Sequence, residues 1–369
     1  MTETPVAVAA SSALNLRRVG AWRGIRVLAW DGDVLYGCRG YDIVRMNFRL
    51  PAGKTAEWER VARFRPVWWR SLTSRRVLTS RLMRDGFHAL ATLDGPRGGQ
   101  TMVGAVPGAL VTRPPDSDEF HVTHRLQRGT RPLHVTAVPS GTIYWGEYFD
   151  NRERAAVHIY VSTDRGRTWQ VAYTFSAGSI RHVHNIVYDR WGDCLWILTG
   201  DEGAECKVLR ASSDLRSVEV VLGGNQQARA VAAIPTQSGL YLSTDTPHEK
   251  NHVYRFDREG NVEQVGDLAS SSIFGCRVGY RVGEAVFFST MIEPSAVNTS
   301  REVQIVGSRN GTNWQVLARW KKDNLPMRYF QYGNAFLPDG ENATRYLAAT
   351  TIATEPDDLV TTLWEVESA

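Results

Sequence analysis

The residues that most directly suggest a functional site, by type and by spacing, are two histidines, His182 and His184, which are two positions apart. Because alternate residues of a β-strand point to the same side, both imidazoles could grip one ligand. They could also hold a metal ion if a third ligand such as Asp201 or Glu147 joined them, but the pair alone is a weak signal. We therefore predict no metal and no cofactor. The alternative is that both histidines only satisfy backbone groups in a tightly packed strand.

Further polar and aromatic residues follow short apolar runs, and we expect them to share one rim with the histidines. Glu147 and Tyr148, for example, come directly after the run Ile143–Trp145. The candidate catalytic residues are His182, His184, Tyr148, Glu147 and Asp201. The candidate substrate-binding residues are Arg39, Arg181, Asn185, Asp245, Glu293, Gln331 and Tyr332.

The elements that must position these residues repeat along the chain with a period of about 40 to 50 residues, which is typical of propeller blades. Each repeat has an alternating run, a turn, a second run, a polar loop and further short runs. The repeats span residues 25–64, 87–126, 134–175, 182–222, 230–268, 275–320 and 330–366. The pattern predicts an all-β fold, a β-propeller of seven four-stranded blades, with six blades as the alternative.

The last repeat shows only three clear strands, whereas the run from Leu14 to Trp22 precedes the first repeat and has no blade of its own. We predict that this N-terminal strand completes the last blade and removes an exposed edge. Residues 1–13 are expected to form a disordered lead-in, and residues 14–369 a single propeller domain.

One stretch between repeats, Ser71 to Arg84, has the spacing of a short helix, and it is rich in arginine. A solvated basic face is the common explanation for such a stretch, and a surface for anionic ligands is the other. Trp68 and Trp69 precede it and could form an exposed apolar patch, although core packing is more usual for tryptophan.

The composition excludes several classes of function. The chain has 369 residues with a net charge of +4, which is too slight and too evenly spread for a nucleic-acid-binding protein. No apolar run approaches the ~18 residues of a membrane span. The N-terminus lacks the features of a signal peptide, so we expect a cytoplasmic protein. Its four cysteines are scattered and are expected to be free buried thiols.

A specific turn pattern, S-x-D-x-G-x-T-W at Ser162–Trp169, follows the alternating run that ends at Val161. It resembles the Asp-box of sialidase-like (BNR-repeat) β-propellers. Ser308–Trp314 is a shorter copy with Asn310 in place of the aspartate, and Ser212–Asp214 is a vestige. The resemblance implies a propeller whose Asp-box turns lie on the face opposite the ligand site.

The resemblance also implies a carbohydrate-active enzyme acting on a complex or acidic polysaccharide at the funnel mouth, either a glycoside hydrolase or a polysaccharide lyase. The early F/Y-R-I-P element of sialidases is absent from this chain, and the rim residues are more similar to those of lyases. The partner would be a carbohydrate; the oligomeric state stays open. The alternative function is a non-catalytic propeller that binds glycans or serves as an assembly scaffold.

By analogy with lyases, one of the two histidines would be the base, Tyr148 or Tyr332 the acid, and Arg181, Arg39 or Asn185 the partner of the substrate carboxylate. A hydrolase would instead use two carboxylates drawn from Glu147, Asp201, Asp245 and Glu293, and their separation would decide between retaining and inverting chemistry.

Overall fold

The protein is a seven-bladed β-propeller in the computed structural model, which describes residues 13–49, 56–94, 99–279 and 284–368. The prediction of seven four-stranded blades is confirmed. The inner strands of successive blades contact one another around the whole circle, and the last blade contacts the first. The predicted lead-in, apart from Ala13, lies outside the described residues, so the proposed domain limits stay a prediction.

The chain begins with β1 (Leu14–Arg23), which belongs to the last blade. Blade 1 contains β2 (Arg26–Gly32), β3 (Val34–Arg39), β4 (Asp42–Asn47) and β5 (Glu59–Phe64). Helices α1 (Trp68–Thr73) and α2 (Val77–Met83) follow it. Blade 2 contains β6 (Ala89–Asp94), β7 (Gln100–Val106), β8 (Ala109–Arg113) and β9 (Glu119–Arg125). Blade 3 contains β10 (Thr136–Ala137), β11 (Ile143–Gly146), β12 (Val157–Ser162) and β13 (Gln170–Phe175).

Blade 4 contains β14 (Val183–Asp189), β15 (Cys194–Thr199), β16 (Lys207–Ser212) and β17 (Val218–Gly223). Blade 5 contains β18 (Ala230–Thr236), β19 (Gly239–Thr244), β20 (Asn251–Asp257) and β21 (Val262–Leu268). Blade 6 contains β22 (Ser272–Val278), β23 (Ala285–Thr290), β24 (Glu302–Ser308) and β25 (Gln315–Lys322), and helix α3 (Met327–Phe330) follows it. Blade 7 contains β26 (Asn334–Phe336), β28 (Tyr346–Ile352), β30 (Val360–Ser368) and β1. The short strands β27 (Asp339–Asn342) and β29 (Thr354–Glu355) pair with β2 and β25 of the neighbouring blades.

The N-terminal strand closes the ring, as predicted. β1 pairs antiparallel with β30, from Leu14 opposite Ser368 to Arg23 opposite Val360. This pairing joins the two ends of the chain in one sheet and covers the edge that β30 would otherwise present.

Burial changes from the inside of each blade to the outside, which is why the sequence pattern changes from strand to strand. In blade 4 every residue of β15 is buried, so it is a continuous apolar run. The outer strand β17 has no buried residue. The apolar side chains that face the next blade form the core between the two sheets, as Leu195 and Ile197 do against blade 3.

The turn between β12 and β13 has the contacts that its sequence suggests. Asp164 accepts hydrogen bonds from the backbone N–H groups of Arg167 and Thr168, at 3.0 and 2.9 Å, and from the hydroxyl of Ser162. Gly166 has a φ of +80°, and a Cβ there would lie 2.6 Å from Val103 of the preceding blade. The turn therefore also fixes the contact between blades 2 and 3.

Two faces of the ring differ in their loops. We call the face where each inner strand begins the mouth face; it also carries the loops between the second and third strands. The hairpins between the third and fourth strands, including Ser162–Trp169, lie on the opposite face. Helices α1 and α2 lie on the mouth face, in the stretch where a single short helix was predicted. Arg81 of α2 binds Asp323 and Asp358 at 2.6 and 2.7 Å.

All four cysteines are free and buried, as expected. No helix in the described ranges is long and apolar enough to cross a membrane.

Candidate functional site

His182, His184 and Asp201 meet on the mouth face of blade 4, and we call them the histidine–aspartate cluster. His182 precedes β14, His184 lies in it, and Asp201 follows β15 in the adjacent loop. The register of β14 against β15 shifts between Val183 and Asn185, which is the position of His184. Bulges of this kind redirect side chains, and here both imidazoles face the Asp201 loop.

The three groups are close to one another and largely buried. The two imidazole Nε2 atoms are 3.1 Å apart, and they lie 3.4 Å (His182) and 3.3 Å (His184) from the two carboxylate oxygens of Asp201. The side chains of His182 and His184 are only 5% and 2% exposed. The predicted convergence of these three residues is therefore present in the structure.

Backbone carbonyl groups fix which ring nitrogen carries the proton. Nδ1 of His182 lies 3.0 Å from the carbonyl oxygen of Phe149, and Nδ1 of His184 lies 2.8 Å from that of Ala230. A carbonyl oxygen can only accept, so each Nδ1 donates, and each Nε2 faces Asp201. Burial lowers the pKa of His184, which favours its neutral form.

Two arginines flank the carboxylate of Asp201. Arg181 and Arg229 lie 3.1 and 3.3 Å from its oxygens, and each has a second acidic partner. Arg181 binds Asp150 at 2.7 Å, and Arg229 lies 3.5 Å from Asp245. Each guanidinium thus also has an acidic side chain outside the cluster close to it.

Asp245 and Tyr148 complete the surroundings of the cluster. Burial raises the pKa of Asp245 to about 7, with Arg229 opposing the shift and Glu293 adding to it. The ring of Tyr148 lies 4.2 Å from that of His182, and burial raises the pKa of its hydroxyl to about 12. Tyr148 is therefore a neutral hydrogen-bond donor over the ordinary pH range.

Glu147 points away from the histidines, although its neighbour Tyr148 points towards them. The Glu147 carboxylate is bound by Nε of Arg128 at 3.0 Å and by the backbone N–H of His158 at 2.8 Å. These contacts lie towards the outer strands of blades 2 and 3. The structure does not bring Glu147 into the cluster.

The remaining candidates lie elsewhere around the mouth face. Asn185 donates to the carbonyl of Val231 and lines a central channel cavity of about 280 Å³. Glu293 lies 3.5 Å from the hydroxyl of Ser271. Gln331 and Tyr332 precede β26, and no contact between them and the cluster is present among the described residues.

Arg39 lies in a separate groove on the mouth face, which we call the arginine groove. It has a volume of about 680 Å³ and lies between the β3–β4 loop, the corner of β1 and β30, and the residues of α1 and α2. Its cationic lining residues are Arg23, Arg26, Arg39, Arg63, Arg65, Arg75 and Arg76. Arg63 and Arg65 bind Asp42 and Glu119. No acidic side chain of the described residues pairs with the other five.

Exposed apolar side chains lie beside this groove on α1 and α2. Trp68 is 76% exposed, Leu72 55% and Leu78 53%, and Leu82 is also exposed. We call these four residues the helix patch. Isolated exposed leucines are ordinary, whereas here a tryptophan and three leucines are exposed on two successive short helices.

Basic side chains other than the predicted ones also extend into the funnel. Arg26 is buried, and its Nε and Nη2 have no hydrogen-bond partner. Burial lowers the pKa of Arg131 to about 9, with Arg84 and Arg26 adding to the shift. Arg26, His88, His182 and Arg229 each occupy the first residue of an inner strand or the residue before it. This common position at the start of an inner strand is the sequence feature from which they could have been identified.

The comparisons with known proteins agree on the fold. A chain of the mitotic checkpoint complex superposes with a TM-score of 0.56 at 10% identity, covering 99% of both chains. The WD40 β-propeller domain of Doa1 superposes with a TM-score of 0.53 at 10% identity, covering 96% of this chain and 97% of that one. The chain is a β-propeller.

No protein-family model matches the chain, and no curated protein matches it in sequence. At identities this low, the structural neighbours show a shared fold and nothing finer. They include a WD40 domain, and membership of the sialidase-like family is not shown.

Proposed function

We propose that this chain is a non-catalytic β-propeller that binds an acidic segment of a partner protein on its mouth face. The observation that carries the proposal is the arginine groove, in which Arg23, Arg39, Arg75 and Arg76 have no acidic partner among the described residues. The groove is lined in part by α1 and α2, the two helices that also carry the helix patch.

The two surfaces together define the chemistry of the ligand. Unpaired guanidinium groups attract carboxylates over several ångströms and bind them through paired N–H donors. Exposed tryptophan and leucine favour apolar side chains that leave water on binding. A segment that alternates acidic and apolar residues satisfies both surfaces, whereas a neutral glycan satisfies neither.

The structural neighbours support this choice over a carbohydrate enzyme. One neighbour is a chain in the crystal structure of a multiprotein assembly, the mitotic checkpoint complex. By analogy of fold, this chain would also take part in an assembly with a protein partner.

The predicted polysaccharide hydrolase or lyase has weaker support. A catalytic histidine must reach the proton that it transfers. His182 and His184 are almost fully buried, and Nδ1 of each ring donates to a backbone carbonyl. Neither the channel cavity nor the arginine groove is lined by His182, His184 or Tyr148.

Fluorescence anisotropy with a synthetic peptide tests the proposal. The probe alternates glutamate with leucine and phenylalanine, and a second peptide carries lysine in place of each glutamate. We expect the acidic peptide to bind and the basic one not to. Reversing two charges, Arg39→Glu with Arg75→Glu, is expected to weaken binding at least tenfold, and added salt to weaken it in the unmodified protein.

Arg167→Glu is the matched control, because Arg167 is an exposed arginine on the opposite face. It is expected to leave the affinity unchanged. The proposal is wrong if the acidic peptide does not bind, or if the control weakens binding as much as the groove variant. Binding of a sulfated oligosaccharide in preference to the peptide would instead favour the glycan-binding alternative.

A further inference from the structure

We propose that the histidine–aspartate cluster is a binding site for one divalent transition-metal ion, best suited to Zn²⁺. This inference is independent of the proposed partner binding, because the arginine groove contains none of the three residues. The cluster is the one set of three or more His, Cys, Asp or Glu ligands within metal-binding reach in the described parts of the chain.

The separations of the three ligand groups match a shared ion. Ligand atoms that each lie about 2.0 to 2.1 Å from a tetrahedral zinc ion are about 3.3 Å from one another. The two Nε2 atoms are 3.1 Å apart, and Nε2 of His182 lies 3.4 Å from one oxygen of Asp201 while Nε2 of His184 lies 3.3 Å from the other. One ligand atom from each residue lies within 4.8 Å of the other two, which is within reach of one shared ion.

The hydrogen bonds at the far side of each ring prepare the histidines for a metal. Metal-binding histidines ordinarily donate their second ring N–H to a carbonyl or carboxylate, which fixes the ring and its tautomer. Phe149 and Ala230 provide such carbonyl oxygens here. Both Nε2 atoms face the same small volume beside Asp201, so they are placed to bind one cation together.

The local charges permit a cation despite the two arginines. Asp150 pairs with Arg181, and the Asp201 carboxylate keeps both of its oxygens facing the imidazoles. The arginines contact the same carboxylate and hold its orientation. Two imidazoles with one carboxylate form a borderline-soft ligand set that favours zinc over magnesium or calcium, which prefer oxygen ligands only.

Three protein ligands leave a fourth position of a tetrahedral ion for water or another donor. The Tyr148 ring lies 4.2 Å from that of His182 and 6.2 Å from that of His184, so an aromatic side chain borders the cluster. A site of this form differs from a closed structural site, which uses four protein ligands.

Direct titration with Zn²⁺ alone tests the inference. The full chain is freed of metal with a chelator and titrated by calorimetry in competition with a zinc-binding dye. We expect one ion per chain and a Kd below micromolar. His184→Gln and Asp201→Asn are each expected to weaken binding at least 100-fold. His134→Gln is the matched control, because His134 is a partly buried histidine paired with one aspartate at 2.8 Å outside the cluster, and it is expected to bind normally.

Two further readouts separate loss of the site from loss of the fold. Circular dichroism in the presence of chelator checks that each variant is folded. Zn²⁺ is expected to raise the Tm of the unmodified protein and of His134→Gln, but not of the two cluster variants. Co²⁺ is expected to give the intense visible absorption of a tetrahedral site.

Failure of the metal-free protein to bind Zn²⁺ would overturn the inference. So would unchanged stoichiometric binding in folded His184→Gln or Asp201→Asn. Neither result tests the binding of the acidic peptide, because the peptide is expected to bind at the arginine groove. Its affinity is measured in the presence of chelator.

Discussion

Basic side chains of the mouth face occupy equivalent positions in successive blades. Arg26, His88, His182 and Arg229 stand at the beginnings of the inner strands of blades 1, 2, 4 and 5. Ring closure brings these positions, far apart in the chain, to one opening. Their environments then differ: His182 and Arg229 have acidic neighbours, whereas Arg26 has two guanidinium nitrogens without partners. The positive charge at the opening is therefore neutralised beside His182 and Arg229, whereas the side at Arg26 stays cationic.

His88 should make the protein sensitive to acid. Burial holds the pKa of His88 well below its ordinary value, and Arg131, Arg26 and Arg84 add to the shift. Below the ordinary histidine pKa of about 6.5, the unfolded chain therefore binds a proton at this position that the folded protein does not. The free energy of unfolding should therefore decrease as the pH is lowered in this range. This residue contributes up to about 1.4 kcal/mol per pH unit to the decrease.

His88→Gln tests this residue, because glutamine can still donate to the carbonyl of Arg84 but cannot take up a proton. Urea unfolding at pH 7.5 and pH 5.0, both in chelator, should show a smaller loss of stability on acidification in this variant than in the unmodified protein. His121→Gln changes an exposed histidine and is expected to keep the full loss. Equal acid sensitivity in all three proteins would contradict the assignment to His88.

Helices α1 and α2 are the elements that distinguish this ring from a plain stack of blades. They are short, and α1 has no buried residue, so helix propensity alone does not hold them in place. Three ion pairs do: Asp85 binds Arg70 at 2.7 Å, and Arg81 binds Asp323 and Asp358. The first pair joins α1 to the segment between α2 and blade 2, and the other two join α2 to blades 6 and 7.

Arg81→Met should release α2 from the mouth face. Arg81 is buried, and its removal leaves Asp323 and Asp358 without this cation, which should destabilise the docked helix by about 3 kcal/mol. Hydrogen exchange should speed up in Val77–Met83 while the inner strands keep their protection.

Arg75→Met is the control for this prediction, since Arg75 is exposed and has no acidic partner among the described residues. It should leave exchange in α2 unchanged. If Arg81→Met also leaves it unchanged, the two ion pairs do not hold the helix.

The architecture of the whole molecule was largely predictable from sequence, because it depends on local patterns that recur. The alternating runs and turn residues predicted seven blades, and the missing fourth strand of the last repeat predicted the closing role of β1. The turn at Ser162–Trp169 is also local, since Asp164 binds groups within four residues of itself.

The site was less predictable, because it depends on side-chain directions and on neighbours from other blades. Glu147 and Tyr148 are adjacent in sequence but point to Arg128 and to the histidines, respectively. Asp201 was correctly grouped with His182 and His184. Arg229 was missed, because only the ring geometry brings the start of blade 5 to the loop of blade 4. The arginine groove was likewise invisible, since it combines residues from the first blade, both helices and the last blade.

The most direct test of the central claim is hydrogen exchange of the full chain with and without the acidic amphipathic peptide. We expect added protection in α1, in α2 and in the β3–β4 loop that carries Arg39, and none in the hairpins at Ser162–Trp169 and Ser308–Trp314 on the opposite face. Protection confined to those hairpins, or no change anywhere on the mouth face at saturating peptide, would contradict it.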